Sequence, residues 1–247
     1  MSFSERFYWD KNIFNDEVEK LTKEVWPNYL IEESDLDICD DKKTGKGQYN
    51  DFLLVGLRSR DDQRLIAFFS GVTIFIDVHS QRLPDEGWRF ACQAFENNAH
   101  PNSLCLLSAN IHPDFQGQGI AEFLIEFAKE EAKERKLTFL LAPVRPTNTY
   151  KFPNISFDEY CALKDGNGRI FDPWLRLHKN LGAEILNICK TSILVSASIR
   201  RWNEWLGHSI STGEIPHKGI VPLQIDLEKK VAMYIEPNIW VRYSLKK

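Results

Sequence analysis

The chain has no Cys-x-x-Cys pair: its five cysteines, Cys39, Cys92, Cys105, Cys161 and Cys189, are scattered and odd in number. That argues against a disulfide framework and against a zinc site, and predicts reduced thiols and no bound metal. A long apolar run is missing too. The longest, over 65–78, is broken by Ser70, Gly71, Thr73 and Asp77 and is too short to span a bilayer. The first twenty residues alternate charged and aromatic side chains, so the reading predicts no leader, no membrane partner and a cytoplasmic protein. Nor is there an excess of positive charge. With 31 Lys+Arg against 35 Asp+Glu, the net charge of −4 weighs against a nucleic-acid partner held through its phosphates. Repeats, low-complexity tracts and a recognisable linker are all absent, so the 247 residues are read as one α/β domain over 1–247.

What is present is a folded chain's composition, 43% apolar and 12% aromatic. Periodicity predicts a helix over 16–26 ended by Pro27, strands over 52–57 and 64–78, and a helix over 88–97. A buried strand over 104–111, a helix over 121–136 and a strand over 137–144 follow. Together these make one βαβ unit, which implies a parallel pair and a right-handed crossover. Further on, the pattern predicts helices over 157–163 and 173–181, the second opened by Pro173 and closed by Gly182. Strands over 184–189 and 192–198 come next, then a short helix with Trp202 and Trp205. A strand pair within 219–236 and a last strand to Tyr243 complete the reading. The charged stretch 35–51 reads as a solvated loop.

One segment carries chemistry: Ile111-His112-Pro113-Asp114-Phe115-Gln116-Gly117-Gln118-Gly119-Ile120-Ala121. A buried strand delivers the chain to a loop with two glycines, and a helix starts at once. First-turn amides and the positive end of the helix dipole suit an anion, and the glycines let phosphate approach the backbone. A ligand-free strand-to-helix turn has the same pattern. Other phosphate motifs fit less well. A dinucleotide fingerprint needs a small residue where Glu122 stands, and a P-loop needs a Gly-Lys-Ser/Thr that is missing.

Gln116-Gly117-Gln118-Gly119-Ile120-Ala121 resembles the Gln/Arg-x-x-Gly-x-Gly/Ala signature of the GCN5-related N-acetyltransferase (GNAT) superfamily, and the His-Pro-Asp-aromatic run before it resembles that family's lead-in. The resemblance continues through the strand over 137–144, Asn148, and Leu177-His178-Lys179-Asn180-Leu181-Gly182-Ala183, and covers about 52–190 in order. It implies a mixed, largely antiparallel central sheet with one parallel βαβ unit and helices on both faces. An insertion over 149–171 and a C-terminal extension over 191–247 would be added to that core. Acetyl-CoA or another acyl-CoA is the implied co-substrate. The backbone of Ala109 and Ile111 would bind its pantetheine arm, Gln116, Gly117, Gln118, Gly119, Ile120 and Ala121 its pyrophosphate, and Asn148 would belong to the same site. Direct transfer to the amine of an unidentified small-molecule acceptor is the implied reaction.

Two departures stand out. Thr149 to Phe171 is inserted between Asn148 and the closing helix, and His178 stands where the family commonly has the tyrosine that protonates the departing thiolate. A histidine can do that work at neutral pH. His178 is therefore the candidate acid, with a dipole-stabilised histidine at a helix C-terminus as the other reading. His112, Asp114, His79, Glu32 and Glu33 are chemically eligible as base, and spacing singles out none. Cys105, in an apolar strand, reads as a small hydrophobe. Arg145, just past a strand end, suits an anionic acceptor or the CoA phosphates, or is an ordinary surface residue. The aromatics of the insertion and of the C-terminal region favour a small, partly apolar acceptor. A non-catalytic acyl-CoA-binding module, decarboxylation, transfer to a carrier-protein thiol and a homodimer all stay open.

Overall fold

The computed structural model describes residues 3–32, 52–96 and 100–245. Glu33, Cys39 and the predicted loop over 35–51 lie outside the described residues. The strands are β1 (Phe7–Asp10), β2 (Phe52–Ser59), β3 (Leu65–Ile74), β4 (Ser103–Ile111), β5 (Phe139–Val144), β6 (Glu184–Ser198), β7 (Gln224–Asp226) and β8 (Val231–Ser244). They form one sheet in the order β1-β2-β3-β4-β5-β8-β6, with β7 paired to the start of β8. Every neighbouring pair is antiparallel except β4–β5. The helices are α1 (Phe3–Arg6), α2 (Asn15–Val25), α3 (Asn28–Glu32), α4 (Gly87–Glu96), α5 (Ile120–Glu134), α6 (Phe157–Ala162), α7 (Pro173–Asn180) and α8 (Ile199–Leu206).

Helices cover both faces, as the sequence pattern requires. On one face the apolar stripe of α5, Leu124, Ile125, Ala128 and Ala132, packs with Leu175 of α7 onto Leu104, Leu106, Leu140 and Ala142. On the other, Ala91 of α4 meets Cys105 and Leu141, and Trp202 of α8 packs with Tyr29 and Tyr234. The crossover α5 ends in a Schellman motif: Lys136 is left-handed (φ 59°), its N–H reaches the Lys133 carbonyl, and the Leu137 N–H reaches that of Ala132. That stop returns the chain into β5 beside β4.

Three expectations change. The strands expected over 184–189 and 192–198 are the single strand β6, bulged between Cys189 and Ile193. There the Thr191 N–H leaves the ladder for the Asp85 carbonyl at 2.9 Å. The later strand of the expected pair and the last strand are likewise one, β8. Its Pro237 falls at that same register shift, where a missing N–H costs the ladder nothing further. Thirdly, the C-terminal region is no appendage, because β8 lies between β5 and β6. The edge strand β1, pairing Phe7–Asp10 with Ser59–Gly56, was not signalled by four residues of mixed polarity. Among the described residues no helix is long and apolar enough to cross a membrane, and no side-chain cluster suits a metal ion.

Candidate active site

Strands β4 and β5 pair only over Ser103–Cys105 and Phe139–Leu141. Beyond that the ladder stops, while β5 stays paired to β8 as far as Val144. The sheet is therefore split between β4 and β5 at their C-terminal ends.

The register of β4 decides which backbone groups face the gap. A bulge at Leu107, between the pairs Ser70↔Ser108 and Gly71↔Leu106, resets the phase, and Trp88 Nε1 donates to the freed Leu107 carbonyl at 3.0 Å. After it, the His112 N–H donates to the Ile66 carbonyl at 2.8 Å. Antiparallel pairs alternate between bonded and non-bonded, so Asn110 and Ser108 aim their amides at β3. Ala109 and Ile111 then aim theirs at the split, where no strand meets them. The Ile111 carbonyl is met by Gln116 Nε2 at 3.0 Å.

The loop after β4 turns through a short 3-10 segment, Pro113–Phe115. Gly117 and Gly119 have φ of 74° and 79°, and Gly119 is the N-cap of α5. A Cβ added at either glycine would meet nothing within 4 Å, so the space before them is open. Gln118 Nε2 donates to the Asp114 carbonyl at 3.0 Å and its Oε1 accepts from Arg6. Both glutamine side chains are thus drawn onto protein, and the loop from Gln116 to Gly119 is exposed. The first-turn amides of Ile120 and Ala121 have no partner inside the helix. Open volume, left-handed glycines and unpaired N–H groups together fit a diphosphate.

Asn148 lies past the end of β5. Its N–H donates to Asp172 Oδ2 at 3.3 Å, and the Thr147 N–H does so at 2.8 Å. Asp172 also accepts from the amides of Trp174 and Leu175, capping α7, and from the Tyr160 hydroxyl at 2.7 Å. One buried carboxylate thereby fixes the strand exit, the insertion and α7 together.

His178 departs from the expectation. It is 1% exposed, and its Nδ1 lies 2.7 Å from the Tyr243 hydroxyl. Tyr243 pairs with Leu140, in the closed part of the sheet rather than at the split. Burial holds the imidazole neutral, lowering its pKa to about 3, and its Nε2 is without a partner. The neutral ring is enclosed by Trp174 and Tyr243 within the packed core.

The eligible bases separate as well. Glu32 is taken by Arg201 and by Trp205 Nε1 at 2.9 Å. His79 follows β3, whose end lies beside the start of β4 and away from the split. Asp114 stands on the exposed loop. Only His112 among the described candidates is both half-buried and at the open end of β4. Its Nδ1 accepts the Asp114 N–H at 3.2 Å, which leaves the proton on Nε2, 3.1 Å from Glu24 Oε2.

Beside the split is a polar cluster that the sequence reading did not assemble. Arg145 Nε donates to Glu236 at 2.8 Å and Nη2 to the Lys218 carbonyl at 2.6 Å, while the guanidinium lies 5.3 Å from the ring centre of Trp26. The Tyr234 hydroxyl donates to the other Glu236 oxygen at 2.6 Å, Asn238 Nδ2 reaches the first at 3.3 Å, and Trp26 Nε1 donates to Asn110. The available signal was Tyr234, Glu236 and Asn238 at alternate positions of an apolar strand. Close by, a cavity of about 810 Å³ opens between the insertion (Tyr150, Pro153, Asn154) and the C-terminal region (Gly213, Ile215, Pro216, His217, Lys218, Pro222).

The model of the acetyltransferase (GNAT) family matches residues 16–151, more than half of the chain. An arginine N-acetyltransferase of Aspergillus versicolor, avaD, is 29% identical over an alignment of 209 residues that covers 74% of this chain and 71% of that protein. Among solved structures, the loading GNATL domain of CurA from Lyngbya majuscula superposes with a TM-score of 0.62 at 17% identity, covering 97% of this chain and 98% of its own. The GphF GNAT-like decarboxylase in complex with isobutyryl-CoA gives 0.59 at 14% identity, covering 98% and 100%. At such identities these two likenesses are of fold.

Proposed function

Because the chain belongs to the acetyltransferase (GNAT) family, and is on that ground an acyl-CoA-dependent N-acyltransferase, we propose that it moves an acetyl or other acyl group onto the amine of a small-molecule acceptor. The observation that carries this reading is the split between β4 and β5, bordered by the N–H groups of Ala109 and Ile111, which no strand meets, and by the open glycine loop.

In this reading Ala109 and Ile111 receive the pantetheine amides as a missing neighbour strand would. Gln116, Gly117, Gln118, Gly119, Ile120 and Ala121 receive the pyrophosphate on backbone N–H groups, and Asn148 borders the same site across the split. The acceptor enters through the cavity between the insertion and the C-terminal region. Its nitrogen lone pair attacks the thioester carbonyl, the C–N bond forms and the C–S bond breaks. The sulfur leaves as thiolate and gains a proton, while the nitrogen loses one. The amine proton passes through water to the Glu24 carboxylate, which His112 Nε2–H holds at the open end of β4. His178, the expected acid, contributes packing instead. Positioning supplies most of the acceleration. The arginine-acetylating relative supports a small amine as acceptor.

A thermal-shift series with acetyl-CoA, CoA, malonyl-CoA, NAD and ATP tests the site. Ligand at about a hundred times Kd adds about 2.7 kcal/mol, raising Tm by about 5–10 °C for a chain of this size. A rise with the CoA species alone, followed by thiol release with an amine panel, is the expected result. Tight CoA binding with no turnover on any amine overturns the transfer reading in favour of a binding module. CO2 release from malonyl-CoA without acylation overturns it in favour of decarboxylation.

A further inference from the structure

The amine acceptor of the proposed reaction needs a recognition element, and one arginine is placed to supply it. Arg145 leaves the end of β5 at the split. Its Nε and Nη2 are engaged by Glu236 and by the Lys218 carbonyl. Its Nη1 makes no hydrogen bond among the described residues, and the side chain keeps 20% of its surface accessible. The guanidinium is held on three sides, by the carboxylate, by the carbonyl and by the face of Trp26. A donor edge fixed in this manner has already lost its rotamer freedom, so binding an anion there costs little further ordering.

Glu236 does not cancel that capacity. The carboxylate is wholly buried, and its oxygens are met by Arg145, Asn238 and Tyr234. The pair is electrically balanced, yet the arginine keeps donors that the glutamate cannot reach. The neighbouring cavity, which adjoins Arg145 through Lys218, includes His217 and Lys218 and no carboxylate among its described lining residues. In a chain of net charge −4, a cavity lacking acidic groups is locally suited to an anion.

The face decides which anion. The phosphate loop opens α5, which packs on one side of the sheet with Leu104 and Leu140. Arg145 bonds to Glu236 beside Tyr234, and stacks on Trp26, both in the cluster with Tyr29 and Trp202 on the other side. It is thus placed for the acceptor and not for the CoA phosphates. We propose that Arg145 binds a carboxylate on the acceptor, so that the substrate class is an amine bearing a carboxylate, as in an amino acid, with Lys218 and His217 at the entrance. This rests on the transfer reading above.

The test uses the full chain, acetyl-CoA and matched acceptors: a panel of amino acids, their C-terminal amides, the corresponding decarboxylated amines, and phosphoethanolamine. Acylated product is followed by mass and CoA by thiol release. A charge-assisted pair typically contributes enough to favour the acids by about 10–100-fold in kcat/KM. Arg145→Ala alone would strand Glu236 in the core, so the variant is the pair Arg145→Gln with Glu236→Gln. An undiminished thermal shift with acetyl-CoA shows the variant folded and loaded. In it the preference for acids over amides should fall to within a factor of about 3. Amides and amines used as well as acids by the wild-type chain, preference for the phosphoamine, or a double variant that still favours acids would each overturn the proposal while leaving acyl transfer intact. Acylation of none of them, with acetyl-CoA still bound, would overturn the transfer reading and this proposal with it.

Discussion

Gly119 and His178 show how differently two residues of one motif set are constrained. Gly119 is left-handed and faces open space, so a side chain there meets no clash inside the protein. Gly119→Ala should cost about 1–2 kcal/mol of stability for its backbone conformation alone. Its larger effect should be on ligand, because the new methyl enters the volume before the first-turn amides. Calorimetric titration with CoA should show affinity lost by about 10-fold or more; unchanged affinity would remove the loop from the site. His178 behaves as core. Its pKa when folded, about 3, lies below the ordinary value of 6.5, so the unfolded chain takes up the proton first. The stability present above pH 6.5 is therefore lost as pH falls towards 3, at about 1.4 kcal/mol per pH unit. His178→Phe removes that titration, and its urea-unfolding free energy should fall less steeply over the same window. Equal slopes for the two proteins would contradict the assignment.

At the scale of elements, the sequence was most legible where one physical cause dominates. The run over 104–111, the glycine loop and the amphipathic stretch over 121–136 each have a single strong pattern, and β4, the loop and α5 form there with ends shifted by one or two residues. Legibility failed where tertiary pairing overrides local signals. Lys190-Thr191 looks like a break, yet β6 runs through it because Asp85 takes the displaced Thr191 amide. Pro237 looks like a stop, yet β8 passes it at a bulge. The loop residues were readable because they form a motif contiguous in sequence. The cluster of Trp26, Arg145, Tyr234 and Glu236 was not, since its members come from three separate places in the chain. Asp172 illustrates the same point: as N-cap of α7 it was foreseeable beside Pro173, but its hold on Thr147, Asn148 and Tyr160 was not. Asp172→Ala should cost about 2–4 kcal/mol, since it removes a cap and leaves several buried donors unmet. Asp172→Asn, which keeps an acceptor oxygen, should cost less. Thermal unfolding of both variants checks the order, and equal losses would show that the cap alone matters.

Across the whole molecule, α2 and α3 act as a clasp over the acceptor side, whereas α1 and β1 lie on the CoA side, where Arg6 reaches Gln118, Phe3 stacks on Phe123 and Lys11 pairs with Glu131. Arg58 of β2 holds Asp10 at 2.7 Å and Glu17 at 2.6 Å, tying β1 and α2 to the sheet. From α2 and α3 the contacts run to the acceptor side. Glu24 meets His112, Trp26 meets Asn110 and Arg145, Lys218 Nζ meets the Val25 carbonyl at 2.8 Å, and Glu32 meets Arg201 of α8. None of these contacts involves the glycine loop. Loosening the clasp should thus separate the two substrates. Glu17→Gln releases α2 while Arg58 keeps Asp10 of β1, and a partly buried pair broken on one side loses stability, here by about 1–2 kcal/mol. Above that, KM for the acceptor should rise several-fold while KM for acetyl-CoA holds, because the CoA side is built from β4, its loop and α5. Steady-state kinetics with each substrate varied in turn measures the split, at a temperature where the variant is fully folded. A rise in both constants together would mean that the N-terminal segment supports the whole sheet and not the acceptor side.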